Sequence, residues 1–281
     1  MTTTCVNNLT QIGELSDVTF DRLRKIIYSR SGISLNDGKA ALIKARVSKR
    51  LRLLNLTSFE DYLDFLAKDS SGDEMNQLLD AVSTNVTHFF REAHHFEFLN
   101  RLATLWKENG KGRLRIWSSG CSSGEEPYSI AMELAEATGS MHINAKILAT
   151  DIASSVLNIC QKGEYKADRI ESLAPVLRAR YFTVSKVDGE HVYTVRPELR
   201  ELVITRQFNL VHFPYPIRHQ LDVIFCRNVM IYFDRETKAK IVNEFHRVLK
   251  PGGHLFVGHA ESLPEANKAF VSAGPTIYRK V

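Results

Sequence analysis

A chain of 281 residues is longer than one small core needs and suits a large domain with a smaller one. Hydrophobic residues at 44% and charged residues at 25% are ordinary for a globular protein. No apolar run approaches the roughly 20 residues that span a bilayer, and the first fifteen residues lack the basic and apolar blocks of a secretory signal, so a cytoplasmic chain is expected. The net charge of +5 is uneven: residues 21–52 hold ten Lys/Arg against Asp21 and Asp37, which puts +8 in that segment and about −3 in the remainder. Such a patch implies an acidic partner, whether nucleic acid, a lipid surface or an acidic protein face. Cys5, Cys121, Cys160 and Cys226 are scattered without CxxC spacing, which points to reduced thiols and away from a metal site.

Residues 17–110 read as helical throughout. Phe20, Leu23, Ile26 and Ile27 fall at helical spacing before a Gly32 stop, and Ile43, Val47, Leu51 and Leu54 form one stripe of the next helix. Arg46, Lys49 and Arg50 lie beside that stripe, with Arg52 further round, giving a basic helix on a small helical domain placed at 1–90. From residue 113 the rhythm changes. "LRIWSS", "AKILATD", "LVITRQF", "LDVIFCRN" and "HLFVGH" read as strands, with helices at about 125–138, 153–161 and 235–249 between them. That alternation predicts a mainly parallel sheet covered on both faces. Residues 178–206 interrupt it with alternating apolar and polar positions around Asp188 and Gly189, the signal of an inserted antiparallel hairpin.

In an open α/β sheet, ligands bind beyond the carboxyl ends of the strands near a reversal of strand order. The residues there are the turn "GCSSGEE" at 120–126, Asp151, Asn209 with Leu210, and Arg227 with Asn228. The turn is neither a GxGxxG nor a phosphate loop ending in GK[ST], and Glu125 and Glu126 at its end would repel a phosphate. Asp151, after the second strand, suits a ribose diol. A ligand with ribose, positive charge and no phosphate fits this set, and S-adenosylmethionine has those features. Taken singly, the two glutamates could merely favour the first turn of a helix, and Asp151 could cap the next one.

At this point the sequence resembles the CheR family of chemoreceptor glutamate methyltransferases. The resemblance rests on "STNVTHFFREAHHF", "GCSSGEEPYSIAMEL", "ATDI", "FCRNVMIYFD" and "LKPGGHLFVGHAES", in that order along most of the chain. It implies an all-α N-terminal domain with a linker over 1–90, and a Rossmann-like α/β methyltransferase domain over 91–281 carrying the 178–206 insertion as a small antiparallel β-subdomain. Carried over by motif, the cofactor residues are Asn85, Thr87, Arg91, Glu126 (Glu125 being the weaker choice), Asp151, Asn209, Leu210, Arg227 and Asn228, and Arg91 would suit the methionine carboxylate. Arg227 and Tyr232 are the candidates for orienting the acceptor oxygen.

The implied reaction moves a methyl group from S-adenosylmethionine to glutamate side chains of methyl-accepting chemoreceptors, leaving methyl esters and S-adenosylhomocysteine. Arg46, Lys49, Arg50 and Arg52 would then dock on the acidic helical bundle of the receptor, and the insertion is similar to a subdomain that in some members pairs with a receptor's C-terminal peptide. No nucleic-acid partner, no membrane insertion and a monomeric chain are expected. The alternative is a methyltransferase acting on nucleic acid or another protein. Against nucleic acid, "CRNVMIYF" follows the fourth strand where an Asn-Pro-Pro-Tyr-type loop would stand, and aromatics are not interleaved with the basic cluster.

Overall fold

The computed structural model describes residues 12–263 and 269–281; Cys5 lies outside them. The chain forms two compact units, Met1–Thr84 and Asn85–Val281. The division falls before residue 90, the expected boundary, because the segment after Asn85 packs on the second unit. Phe89 and Phe96 join its core, and the Phe90 N–H donates to Ser129 Oγ at 2.9 Å.

Among the described residues the first unit holds four α-helices, α1 (Asp17–Ser31), α2 (Ala40–Leu53), α3 (Phe59–Lys68) and α4 (Asp73–Val82). Ser16 caps α1 by accepting from the Thr19 N–H, and Ser58 caps α3 by accepting from the Asp61 N–H, each satisfying an amide that the helix leaves unpaired. Gly32 ends α1 at φ 71°, a left-handed conformation that glycine adopts without a Cβ penalty. Ile43, Val47 and Leu51 of α2 are buried at four-residue spacing, which turns one stripe of the helix into the unit and leaves its basic positions beside or opposite that stripe.

In the second unit, α5 (Ala93–Glu108) leads into β1 (Leu114–Ser118), α6 (Glu125–Thr138), β2 (Ala145–Asp151) and α7 (Ser154–Lys162). An inserted region follows: β3 (Glu164–Lys166), α8 (Ala167–Ile170), α9 (Pro175–Tyr181), β4 (Phe182–Val187), β5 (Glu190–Val195) and α10 (Pro197–Arg200). The chain then returns through β6 (Val203–Gln207), β7 (Leu221–Cys226), α11 (Arg235–Val248), β8 (Leu249–Val257), β9 (Phe270–Gly274) and β10 (Ile277–Lys280). The expected helical run to residue 110 is therefore broken between Val82 and Ala93, and its last part belongs to this unit.

Seven strands pair in the order β6-β2-β1-β7-β8-β10-β9. The first five are parallel, and β10 runs antiparallel to both β8 and β9. The β9 and β10 pair was not foreseen from the sequence. Period-two alternation places Ile116, Val223 and Phe225 in one core, with α5 and α6, and Trp117, Ile224 and Cys226 in the other, with α11. Each such side chain, fully buried, stabilises the unit by about 1.5–3 kcal/mol. Cys121, Cys160 and Cys226 are buried free thiols. The insertion forms a separate sheet in the order β3-β5-β4. Its hairpin turns at Asp188 (φ 49°) and Gly189 (φ 83°), as expected, but the sheet also recruits Glu164–Lys166, upstream of the 178–206 range.

Candidate active site

Strand order reverses at β1, whose chain neighbours continue to β2 and β6 on one side and to β7 and β8 on the other. A crevice at the carboxyl ends of β1 and β7 follows from that reversal. The loop after β1 is stitched to both flanking strands: the Ser119 N–H donates to Phe225 O at 2.8 Å and the Cys121 N–H to Thr150 O at 2.9 Å. Gly120 is required by the approach of Val229, whose Cγ2 would lie 2.2 Å from an added Cβ.

Asp151, at the end of β2, accepts the Ser122 N–H on Oδ2 at 2.9 Å and the Ala153 N–H on Oδ1 at 3.1 Å. Ser122 Oγ donates to the Asn85 carbonyl at 3.0 Å, so three expected positions, Asn85, the 120–126 turn and Asp151, are linked directly. Thr87 is half-buried on the same segment as Asn85. Arg91 folds back on that segment, its Nη1 donating to Val86 O at 3.1 Å. After β6, Asn209 Oδ1 accepts the Val211 N–H at 3.2 Å, and the carbonyl of buried Leu210 accepts from Tyr215 OH at 2.8 Å.

Arg227 is the hub of the remaining residues. Its side chain is 2% exposed; Nη1 donates to Glu126 Oε2 at 3.1 Å, Nη2 donates to the Arg91 carbonyl, and the guanidinium lies over the Phe96 ring. Glu126 Oε1 also accepts from Ser118 Oγ at 2.6 Å. Burial lifts the Glu126 carboxyl above the ordinary carboxylate range, with Arg227 and Ser118 offsetting part of the effect. Glu92, at φ 58°, stands 3.4 Å from Arg227 and accepts from the His259 ring at 3.0 Å. Burial works against its charge, but His259 and Arg227 outweigh burial and pull its carboxyl down to about 2. Next to it, His95 is pushed down to about 3, by burial first and then by Arg227.

Asn228 sits at φ 59°, and the residue that holds it there was not named from the sequence. Glu261, 7% exposed, accepts the Asn228 N–H at 2.8 Å, the Gly258 N–H at 2.6 Å and the Ile231 N–H at 3.1 Å. One carboxylate thereby clamps the loop after β7, including the turn that carries half-buried Tyr232, to the end of β8. Glu261 lies within a block quoted for the resemblance, but its three partners are 3 to 33 residues away. Glu125 is fully buried and points away from this hub, to Ser123 Oγ at 2.7 Å and to Arg169 of the insertion.

On the first unit, the four basic candidates separate into two kinds. Arg46 Nη1 donates to Val82 O at 2.6 Å and Ser83 O at 2.8 Å, closing the end of α4. Arg50 forks onto Glu74 at 3.0 and 2.6 Å, and Tyr62 OH donates to the same carboxylate at 2.7 Å. Lys49 and Arg52 are exposed.

The donor set fits the expected cofactor. The loop amide that a phosphate would use is turned onto Asp151, and a carboxylate with about four acceptor sites can serve backbone amides and a ribose diol together. A doubly wound sheet with this edge defines the class, a Rossmann-like S-adenosylmethionine-dependent methyltransferase. Residues 85–279 match the family model described as CheR methyltransferase, SAM binding domain, and residues 19–83 match CheR methyltransferase, all-alpha domain. The chain belongs to the CheR methyltransferase family. It is 40% identical to a chemotaxis protein methyltransferase of Borreliella burgdorferi over 92% of this chain and 93% of that one. Identity is 42% to chemotaxis protein methyltransferase 2 of Pseudomonas aeruginosa, over 92% and 91% of the two chains. With the Escherichia coli K12 chemotaxis protein methyltransferase it is 39%, over 98% and 95%.

Proposed function

We propose that this chain transfers the methyl group of S-adenosylmethionine to glutamate side chains of methyl-accepting chemoreceptors, forming methyl esters and S-adenosylhomocysteine. The observation that carries the reading is Asp151 at the end of β2, onto which the Ser122 amide of the facing loop is spent, an edge suited to a ribosyl ligand without phosphate. Asp151 holds the ribose, Asn209 and Leu210 flank the adenine, and Asn85, Thr87 and Arg91 close the site from the preceding segment. Of the two glutamates, Glu126 is the one assigned to the site, because it joins Arg227 at the strand edge while Glu125 is drawn toward the insertion. Arg227 is buried under Glu126 and the Arg91 carbonyl, which suits bracing these loops; Tyr232 then takes the orienting of the acceptor oxygen, with Asn228 beside it.

The bound cofactor supplies an electrophilic methyl group on a sulfonium. A glutamate acceptor of pKa about 4.3 is already ionised at neutral pH, so the chain has no proton to remove. Its residues act by alignment, bringing the acceptor oxygen to near-attack distance and excluding water. Docking on the receptor is assigned to Lys49 and Arg52, with Arg46 and Arg50 serving the fold. In the insertion, β4 is an edge strand with Val184 56% and Val187 53% exposed, a place for a receptor peptide to add as a strand. No helix among the described residues is long and apolar enough to cross a membrane; a cytoplasmic location belongs to this proposal and follows from the proposed receptor substrate alone. The test is incubation with labelled cofactor and either receptor-containing membranes or RNA. Label on receptors that alkali releases as methanol is expected; alkali-stable label, or label on RNA alone, would overturn the reading.

A further inference from the structure

The turn that opens α6 is held from the insertion as firmly as from the main sheet. Arg169, on the segment after β3, donates Nε to Glu125 Oε1 at 3.0 Å and Nη2 to the same oxygen and to Ser123 Oγ at 2.9 Å. Ser123 Oγ in turn donates to Glu125 Oε2 at 2.7 Å, and Tyr165 OH of β3 donates to the Ser123 carbonyl at 2.8 Å. Between them, Gly124 at φ 101° is seated so closely that an added Cβ would stand 2.8 Å from both Cys160 Sγ and Tyr165 Oη. Two residues before Gly124, Ser122 bonds Asp151 and the Asn85 carbonyl. The four residues 122–125 therefore carry ties to the cofactor edge at one end and to the insertion at the other.

Burial makes this arrangement conditional on Arg169. Glu125 is 0% exposed, whereas the Arg169 side chain is 39% exposed. A carboxylate that loses its cation inside a protein must find water or another partner. Glu125 can do so by moving outward, and it is joined to the turn through Ser123 and the backbone. We propose that Arg169 is a positioning residue for the cofactor: by neutralising Glu125 it fixes the 122–125 turn, and through Ser122 it sets Asp151 and Asn85 where the ligand needs them. The inserted sheet is then part of the cofactor site's frame. This rests on the assignment of Asp151 and Asn85 to the cofactor.

The test uses the full chain, with S-adenosylhomocysteine binding by calorimetry and steady-state methylation of receptor membranes. Arg169→Ala should raise the Kd for S-adenosylhomocysteine and the KM for the cofactor about tenfold or more. At saturating cofactor, kcat and the KM for the acceptor should stay within about twofold, a split that simple loss of folded protein does not produce. In Glu125→Gln with Arg169→Ala the neutral amide needs no counter-ion, and affinity should return to within about threefold of the wild type. Should Arg169→Ala fail to fold, Arg169→Lys keeps the charge and loses the fork, and about threefold weaker binding is expected. Wild-type affinity in Arg169→Ala, no recovery in the double variant, or wild-type affinity in Arg169→Lys where Arg169→Ala does not fold would each overturn the proposal while wild-type binding stands. Absence of binding by the wild type would remove the cofactor assignment itself, and the proposal with it.

Discussion

Beneath the basic helix α2, Glu74 takes a forked Arg50 and the Tyr62 hydroxyl; at the carboxyl edge of the sheet, Glu126 takes Arg227 and the Ser118 hydroxyl. The two clusters use the same chemistry in different company. Around Glu74 the partners sit on helices of one small bundle, and the ion pair fastens helix to helix. Around Glu126, Arg227 continues to the Arg91 carbonyl, so the start of α6, the loop after β7 and the segment before α5 are joined. Both pairs consume charge, and only the one at the strand edge joins segments that frame a candidate ligand site. Hence the +8 of residues 21–52 overstates what that face offers a partner.

The comparison breaks first at Arg50. Arg50→Ala leaves Glu74, 5% exposed, without its cation and should destabilise the first unit by about 3 kcal/mol in urea denaturation, with cofactor affinity unchanged; a loss below about 0.5 kcal/mol would show that the pair is not structural. A smaller effect is expected on the other side. Asp151→Ala should weaken S-adenosylhomocysteine binding on the order of 30-fold, about 2 kcal/mol for a charged hydrogen-bonding group, and calorimetry reads it directly.

Next comes acid sensitivity of the second unit. His95 is held near 3 against about 6.5 when unfolded, so the unfolded chain binds the proton first and stability falls as pH drops from about 6.5 toward 3. Glu92 follows in a lower window: its contribution is complete above about 4.5 and is lost toward 2. His95→Gln should flatten the upper window by less than the one-proton ceiling of about 1.4 kcal/mol per pH unit. Denaturation midpoints between pH 7 and 5 that fall in parallel for variant and wild type would refute it. The smallest effect sharpens the charge argument. Lys49→Glu with Arg52→Glu should slow receptor methylation roughly fivefold at low salt, and less at high salt, without changing cofactor affinity; a salt-independent rate would return the docking role to other residues.

Much of this was readable in the chain. The strands from Leu114 to Val257 follow from apolar runs, and the turn at Asp188 and Gly189 from residues that accept positive φ. Asp151 and the 120–126 turn could be picked out as candidates because a strand end followed by a special residue is a local signal, and the structure brings them together. What escaped is set by distance. Nothing near Arg46 indicates that Val82 and Ser83 carbonyls, 36 and 37 residues on, will engage it. Glu261 is one acid among many until folding brings three amides to it. The β9 and β10 strands are short and half-exposed, with little alternation to mark them. Arg169 lies in a four-residue helix whose sequence suggests nothing about Glu125, 44 residues earlier.

The clamp of Glu261 on the loop after β7 also bears on how the protein is made. The groups that frame the site run from Asn85 to Glu261, so during synthesis it cannot close until nearly the whole second unit has left the ribosome. The helical unit precedes it in the chain and can fold well before, as domains emerging first generally do. A nascent chain would thus pass through an interval in which the basic helix is formed and no methyl donor can be held.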